Sequence, residues 1–268
     1  MLASYLLSFR EGLEAALIVG VLLGALQKLN RPTQRRTIWL GTISAIILSI
    51  VVGLILNQVG AAFEGRAEEV FEGFAMLLAA GILTWVILWM QSQARSLNKR
   101  LEADVEQAVL KDNKTALFSL AFLSVFREGI ELALFLIAAS MSSDNMQVII
   151  GAVLGLLSVI IFAVLLFKSL IRLDISKFFR VTSIILILFA AGLVAHGVHE
   201  LNEAGLIPSV IEHVWDINHI LDEGSTLGEF LKTLIGYNGN PSITEVIAYV
   251  FYFVLIWFFI KKPEKKSE

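Results

Sequence analysis

Two short charged motifs lie inside apolar stretches of this chain. Residues 9–14 read "FREGLE" and residues 126–131 read "FREGIE", so each motif contains one arginine and two glutamates. The two glutamates of a motif are three residues apart, which places both carboxylates on one face of a helix. The arginine comes four residues before the second glutamate, so we predict that these two side chains pair.

Both motifs fall near the middle of segments that are long enough to cross a membrane. A charged side chain at the bilayer centre costs about 2.5–3.5 kcal/mol on insertion scales, so the charged side chains are expected to converge in the protein interior. If all of them ionise, four carboxylates against two guanidiniums give a net charge of −2. Two protons or a metal cation would neutralise that charge. Carboxylate oxygens suit a hard cation such as Fe³⁺, Mg²⁺ or Mn²⁺.

These observations predict one cation site built from both motifs. Its ligands are Glu11, Glu14, Glu128 and Glu131, and its orienting groups are Arg10 and Arg127. The arginines would keep the carboxylates ionised and oriented while the site is empty. Purely structural ion pairing is the alternative. It explains the second glutamate of each motif but leaves Glu11 and Glu128 unpaired.

The rest of the chain is strongly apolar. Of its 268 residues, 57% are hydrophobic and only 17% are charged, against about 25% charged residues in ordinary soluble domains. Apolar runs of membrane-spanning length predict an all-α membrane protein with seven transmembrane helices in a single domain, residues 1–268. The helices are predicted at roughly 4–26, 38–60, 68–91, 117–139, 147–168, 181–201 and 244–260. Because the chain has no cysteine, disulfides and thiolate metal sites are excluded.

The lysines and arginines predict how the chain is oriented in the membrane. Of the 21 lysines and arginines, 17 lie in alternate loops and the C-terminal tail, within 28–36, 95–114, 168–180 and 261–266. By the positive-inside rule these segments are cytoplasmic, which places the N-terminus outside and the C-terminus inside. The expected location is the plasma or inner membrane, with multiple passes.

The two motifs also predict an internal repeat. They are 117 residues apart and lie in predicted spans of opposite direction, and "LAAGIL" at 78–83 is echoed by "FAAGLV" at 189–194. We therefore predict an inverted 3+3 repeat plus a seventh helix, with repeat 1 at about 1–92 and repeat 2 at about 115–203. An outer loop at about 202–243 and a last helix at about 244–260 follow. Transporters with inverted repeats bind their substrate near the membrane midplane, at the repeat interface.

A second group of acidic and histidine side chains lies at the predicted outer ends of the third and sixth spans. Because these spans run in opposite directions, both sets of side chains are expected on the same side of the membrane. They are predicted to concentrate cations at an entry vestibule. Acidic helix ends near water are the ordinary alternative. The residues are Glu68, Glu69, Glu72, His196, His199, Glu200 and Glu203.

The duplicated Arg-Glu-x-x-Glu motif resembles that of the ferric iron permease family of fungi and bacteria, the oxidase-dependent iron transporters that include EfeU-like proteins. The resemblance covers almost the whole chain and includes "EEVFEGFAMLLAAGILTW" (68–85), "AAGLVAHGVHELNEAGLIP" (190–208) and "LIGYNGNPS" (234–242). It implies that the four motif glutamates bind and pass iron. It also implies that an extracytoplasmic oxidase or iron-binding protein supplies the iron.

The expected function is high-affinity import of iron, as Fe³⁺, with iron as the transported substrate and no permanently bound cofactor. The expected partners are the iron ion, its supplier and the lipid bilayer, with no nucleic acid. Alternatives are a permease for another hard or divalent cation, a proton-linked carrier of a nonmetal solute and a membrane di-metal carboxylate oxidase. Such oxidases usually use Glu-x-x-His pairs, whereas both motifs of this chain are Glu-x-x-Glu. The chain has no Walker-type phosphate loop, so we expect no ATP use. As a transporter, the chain is not expected to be an enzyme.

Two loops carry further predictions. In the outer loop, His213, Asp216 and His219 recur every three residues. An amphipathic helix on the membrane surface is one interpretation, and an iron-collecting patch is the other. The cytoplasmic loop 92–116 reads as a charged amphipathic helix.

Overall fold

The computed structural model describes residues 1–60, 62–93, 97–141, 144–167 and 175–261. Within these residues the fold is entirely helical and contains no strand. The α-helices are α1 (Leu2–Lys28), α2 (Arg35–Gly60), α3 (Arg66–Gln93), α4 (Leu97–Leu110), α5 (Lys114–Met141), α6 (Asn145–Phe167), α7 (Ile175–Glu203), α8 (Thr226–Ile235) and α9 (Ile243–Lys261). A 3₁₀ turn at Pro32–Gln34 precedes α2.

Several of these helices are long and apolar enough to cross a bilayer. Four segments qualify in the described part of the chain, and they belong to α2 with its preceding turn, α3, α6 and α7. The apolar stretch of α9 is shorter, at Ile243–Phe259. Helices α1 and α5 are 27 and 28 residues long, but each contains the three charges of its motif. The chain is therefore a multi-pass membrane protein, and the motif charges lie in the interior of α1 and α5 rather than at their ends.

The predicted apolar spans coincide with helices wherever the structure describes them. The loop predicted to be cytoplasmic contains the helix α4, which buries Leu101, Val105 and Val109 in a core cluster with residues of α1 and α5. Some of the cations used for orientation lie outside the described residues, namely Arg95, Lys168, Arg172, Lys262, Lys265 and Lys266.

The long helices pack as pairs, α1 against α6, α2 against α5 and α3 against α7. Small residues set the close approaches of the first two pairs. A methyl group added to Gly41 of α2 would lie 2.6 Å from the Phe118 carbonyl oxygen of α5. One added to Gly151 of α6 would meet the Met1 carbonyl oxygen beside α1. The two contacts correspond, because Phe118 follows Met1 by 117 residues and Gly151 follows Gly41 by 110.

The glycines inside the charged motifs obey the same offsets. Gly12 of α1 faces Val159 of α6, and Gly129 of α5 faces Ser49 of α2. Gly129 again follows Gly12 by 117 residues, and Val159 follows Ser49 by 110. Each motif therefore packs against a helix from the other half of the chain.

The centre of the bundle is formed by α3 and α7. Ala79 and Ala80 of α3 and Ala190 and Ala191 of α7 are buried in one core cluster. Gly73 of α3 approaches Gly197 of α7 at a second crossing point. A methyl group on Gly73 would lie 2.9 Å from the Gly197 carbonyl oxygen. This packing brings the N-terminal end of α3 to the C-terminal end of α7.

The outer loop differs from the amphipathic surface helix proposed around His213 and His219. That segment is not helical, because its backbone N–H groups bond to a neighbouring extended segment instead. Val214 N–H donates to the Pro241 carbonyl, and Ile217 N–H donates to the Gly239 carbonyl. The helical part of the loop is α8. It ends at Gly236, which has a left-handed backbone with φ of 71°.

Gly236 also touches Gly192, which lies eleven residues before the end of α7. A helix rises about 1.5 Å per residue, so this contact lies about 16 Å below the end of α7. The loop after α8 therefore enters the bundle and does not remain on the membrane surface.

Candidate functional site: a buried carboxylate cluster

The two charged motifs form the same ion pairs within their own helices. In α1, Arg10 Nε lies 3.1 Å from Glu14 Oε1, and in α5, Arg127 Nε lies 3.2 Å from Glu131 Oε1. Both pairs have the predicted four-residue spacing, so that prediction is confirmed. The expectation that purely structural pairing leaves the first glutamates unpaired is wrong. Glu11 lies 3.4 Å from Arg10, and Glu128 lies 3.2 Å from Arg127.

The four glutamates are removed from solvent, with exposed fractions of 1% for Glu11, 8% for Glu14, 3% for Glu128 and 7% for Glu131. This follows from the packing of α1 against α5, which turns both motifs towards each other. The requirement that the charged side chains converge inside the bundle is therefore met by all four carboxylates.

Three carboxylates converge closely enough to share one ion. Glu11, Glu128 and Glu131 each offer an oxygen, and these oxygens lie within 4.8 Å of one another. Glu14 is not in this group of three, but it interacts electrostatically with Glu131 and Arg127 across the helix interface. The first motif thus contributes one carboxylate to the closest group, and the second motif contributes two.

Several oxygens in this cluster have no hydrogen-bond donor among the described residues. They are Oε2 of Glu11, Oε2 of Glu128 and Oε2 of Glu131, and all three are buried. A buried charged group normally needs full compensation by partners. If all four carboxylates ionise, the two arginines leave an excess of two negative charges. A hard cation coordinated by the free oxygens would compensate that excess.

The two arginines differ in their surroundings. The Arg10 side chain is 1% exposed, whereas the Arg127 side chain is 42% exposed. The two motifs differ in sequence only at one position, leucine in the first and isoleucine in the second. The sequence therefore does not predict the different exposure of the two arginines.

The predicted outer residues do assemble at one end of the bundle. Arg66 Nε, at the start of α3, donates a hydrogen bond of 2.8 Å to the Ala204 carbonyl just after α7. Glu72 and Glu69 interact electrostatically with Glu200 across this junction. Glu68 and Glu203 are exposed, and Glu69 is partly exposed. The sequence correctly predicted that both acidic groups lie together.

The two histidines of this end have different environments. His196 is buried, and its Nδ1 lies 3.0 Å from the Gly192 carbonyl oxygen within the same helix. This is the setting of a histidine packed in the core. His199 is partly exposed, with Nδ1 3.0 Å from Glu245 Oε1 and Nε2 3.4 Å from Glu203 Oε1. Of the two, His199 faces the outer carboxylates.

Glu245 was not among the residues predicted from the sequence, although a signal was present. The segment Ser-Ile-Thr-Glu at 242–245 precedes an apolar run, which is the pattern of a capping box. The structure contains that box, since Glu245 N–H donates to Ser242 Oγ and Ser242 N–H donates to Glu245 Oε1. The cap could have been read from the sequence, but the contact with His199 is a tertiary one.

The chain is similar to known iron permeases along almost its whole length. The model of the Iron permease FTR1 family matches residues 1–263. The protein called "Ferrous iron permease EfeU" from Yersinia pestis is 33% identical over 264 residues, covering 97% of this chain and 94% of that protein. The protein of that name from Yersinia pseudotuberculosis serotype I is 34% identical, with 96% and 91% covered. The one from Escherichia coli O6:K15:H31 is 33% identical, with 95% and 93% covered. No solved structure matches the chain significantly.

Proposed function

The chain belongs to the iron permease FTR1 family and is a membrane transporter rather than an enzyme, and on that premise we propose that its buried carboxylate cluster is the transport site. The observation that carries the proposal is the convergence of Glu11, Glu128 and Glu131 within 4.8 Å. Their free oxygens and the excess negative charge provide ligands that a hard cation requires. Glu14 supplies a fourth carboxylate next to this group.

The arginines act as orienting groups in this proposal. Each contacts both glutamates of its own motif, so each holds two carboxylates at fixed positions on one helix face. A guanidinium has a rigid planar fork of donors that suits such paired contacts. When iron is absent, the arginines partly neutralise the cluster and keep its carboxylates from separating.

A seven-span architecture with an inverted repeat is part of the proposal. Its support is the constant offset between equivalent contacts, 117 residues from α1 to α5 and 110 residues from α2 to α6. Such an arrangement places the two motifs at equivalent depths on either side of the midplane, where transporters with inverted repeats bind their substrate. The N-terminus is then outside and the C-terminus is cytoplasmic.

Iron enters, in this proposal, from the outer end of α3 and α7. The acidic residues there attract cations electrostatically, and His199 lies among them. An extracytoplasmic oxidase or iron-binding protein supplies the ion. The remaining residues of the predicted vestibule either border this path, as Glu72 and Glu200 do, or support its wall, as buried His196 does.

We assign Fe³⁺ as the transported form on the ground that the cluster offers only carboxylate oxygens, which are hard ligands. The names of the relatives supply the reason for a second candidate, Fe²⁺, because those proteins are called ferrous iron permeases. Both forms would use the same four glutamates.

The test is uptake of radioactive iron into proteoliposomes that contain the purified protein. Ferric citrate and ferrous iron kept reduced with ascorbate are supplied separately, with Mg²⁺ and Mn²⁺ as competitors. We expect protein-dependent iron accumulation that excess Mg²⁺ does not suppress, and faster uptake from the ferric supply. Faster uptake from the ferrous supply would identify Fe²⁺ as the substrate. Mg²⁺ or Mn²⁺ transport without iron transport, or oxygen consumption without iron accumulation, would contradict the proposal.

A further inference from the structure

Glu245 is a buried carboxylate that lies outside the central cluster, in the first turn of α9 and 4% exposed. Both of its oxygens have polar partners. Oε1 accepts a hydrogen bond from Ser242 N–H at 3.1 Å and lies 3.0 Å from His199 Nδ1. Oε2 accepts a hydrogen bond of 2.8 Å from Asn238 Nδ2. The carboxylate therefore links the outer loop, the start of α9 and the end of α7, and its position is fixed from three sides.

The cap of α9 explains only part of this arrangement. A capping box requires the reciprocal bonds between Ser242 and Glu245, and it needs neither a histidine nor an asparagine partner. The contact of Glu245 with His199 joins residues 46 positions apart. This contact fixes the imidazole ring of His199 relative to α9.

The two ring nitrogens of His199 consequently face different groups. Nδ1 faces Glu245, and Nε2 faces Glu203 Oε1 at 3.4 Å. With its Nδ1 proton donated to Glu245, the ring turns Nε2 towards the outer carboxylates, and a cation between Nε2 and Glu203 would take the place of a proton there. Histidines that bind metals commonly donate their other ring nitrogen to a carboxylate, which fixes the tautomer and orients the ring.

We propose that Glu245 is a positioning residue for cation entry, which holds His199 so that Nε2 meets the cation that arrives at the outer carboxylates. The inference rests on the proposed function, because the arriving cation is the transported iron. Glu245 itself does not touch the ion. Its role is to keep Nε2 of His199 aimed at the entry path, beside the carboxylate oxygens of Glu200 and Glu203.

The first test is the kinetics of iron uptake by the Glu245→Gln variant in proteoliposomes. Glutamine keeps the shape of the side chain and an oxygen that can accept from Ser242 N–H, but it loses the charge. Removing the carboxylate partner of a metal-binding histidine typically weakens metal binding by about tenfold or more. We therefore expect the KM for iron to rise about tenfold, with Vmax unchanged because the central cluster is intact.

A matched control removes a helix cap at the same end of the molecule. Ser225 caps α8 by accepting a hydrogen bond of 3.0 Å from Gly228 N–H. The Ser225→Ala variant is expected to retain the wild-type KM. An equal rise in KM for Ser225→Ala and Glu245→Gln would show that disturbing a cap at this end is sufficient, and it would overturn the inference.

A double-mutant cycle separates positioning from general support of the fold. If Glu245 acts through His199, then adding Glu245→Gln to the His199→Ala variant leaves the KM unchanged from His199→Ala alone. An equal further rise in that background, or a wild-type KM for Glu245→Gln, would overturn the inference.

Equilibrium dialysis of Fe²⁺, kept reduced with ascorbate, against the detergent-purified proteins gives the same four-way comparison as dissociation constants. A wild-type protein that binds iron but does not accumulate it contradicts the proposed transport function and leaves this comparison intact.

Discussion

The first charged motif is enclosed on all sides, whereas the second has an open face. Both have the same internal ion pairs, with Nε of the arginine 3.1 or 3.2 Å from the second glutamate. Yet the side chain of Arg10 is 1% exposed and that of Arg127 is 42% exposed. Leu123, one turn before Arg127 in α5, is also exposed, at 62%. The motif thus determines the local geometry, and the neighbouring helices determine the environment.

The two motif helices have different neighbours. Helix α1 is contacted by α8 in addition to long helices of both halves, while no contact between α8 and α5 of comparable extent exists in the described part of the chain. The two motifs therefore lie in helices with different surroundings. An arginine at this depth is stable only where water or a polar group reaches it. Arg127 is therefore the more accessible of the two arginines, while the carboxylates of both motifs are buried.

The largest expected effect comes from removing carboxylates. Glu14→Ala and Glu131→Ala are each expected to reduce iron uptake to background, because the two halves form one ligand set despite their different exposure. Glu11→Gln and Glu128→Gln are expected to impair uptake as well, since each removes one charge at nearly constant shape. The measurement is initial uptake in proteoliposomes containing equal amounts of monodisperse protein.

Glu106→Gln, in the exposed surface of α4, is a suitable control and is expected to transport at the wild-type rate. Normal uptake by a well-folded Glu14→Ala or Glu131→Ala variant would separate the two motifs and refute a shared site. Full activity of both glutamine variants would limit Glu11 and Glu128 to packing.

These variants concern residues that the sequence alone identified, and the reason is physical. A charged side chain in the middle of an apolar helix has few possible places, so its burial and its pairing partner at four residues follow from composition and helical spacing. The meeting of both acidic groups at the ends of α3 and α7 followed from chain direction. The contacts that depend on loop conformation did not follow, because the path of residues 204–242 is set by tertiary hydrogen bonds such as Val214 to Pro241.

The exposure of Arg127 belongs to the same class of unpredictable features. Nothing in "FREGLE" and "FREGIE" distinguishes the two arginines. The tertiary neighbours of the two helices differ, since α1 contacts α8. Glu245 combines a predictable and an unpredictable feature. Its capping box follows from the local sequence, whereas its contact with His199 depends on the tertiary structure.

A smaller effect is expected from replacing each arginine by lysine, which keeps the charge but loses the planar fork. For Arg10→Lys, loss of a buried charged hydrogen bond costs about 1.5–3 kcal/mol, so uptake should fall by about tenfold or more. For Arg127→Lys the partly exposed pair is worth less, about 1 kcal/mol or below, so uptake should fall by less than about tenfold. Initial uptake rates of both variants measure the difference.

Exposed Arg36 of α2 provides the control, because Arg36→Lys is expected to leave uptake unchanged. Equal losses of uptake in Arg10→Lys and Arg127→Lys would show that the Arg127 side chain is covered in the transporting protein. Equal and negligible losses would argue against an orienting role for either arginine.

The smallest expected effect concerns the packing of the motif glycines and is measured as stability. A methyl group on Gly129 would overlap the Ser49 side chain, with its Cβ 2.6 Å away, so Gly129→Ala should destabilise the protein by about 1–3 kcal/mol. A methyl group on Gly12 would meet only side-chain atoms, Val159 at 3.1 Å and Leu156 at 3.2 Å, of which Val159 is the nearer. That side chain can shift slightly, and alanine is favoured over glycine in a helix by about 1 kcal/mol, so Gly12→Ala should be nearly neutral. Thermal unfolding in detergent gives both values.

Ser49→Gly removes the overlapping atoms and should restore much of the stability lost in Gly129→Ala, without helping Gly12→Ala. Equal destabilisation by the two alanine variants, or no rescue by Ser49→Gly, would contradict the close contact of α5 with α2 at the second motif.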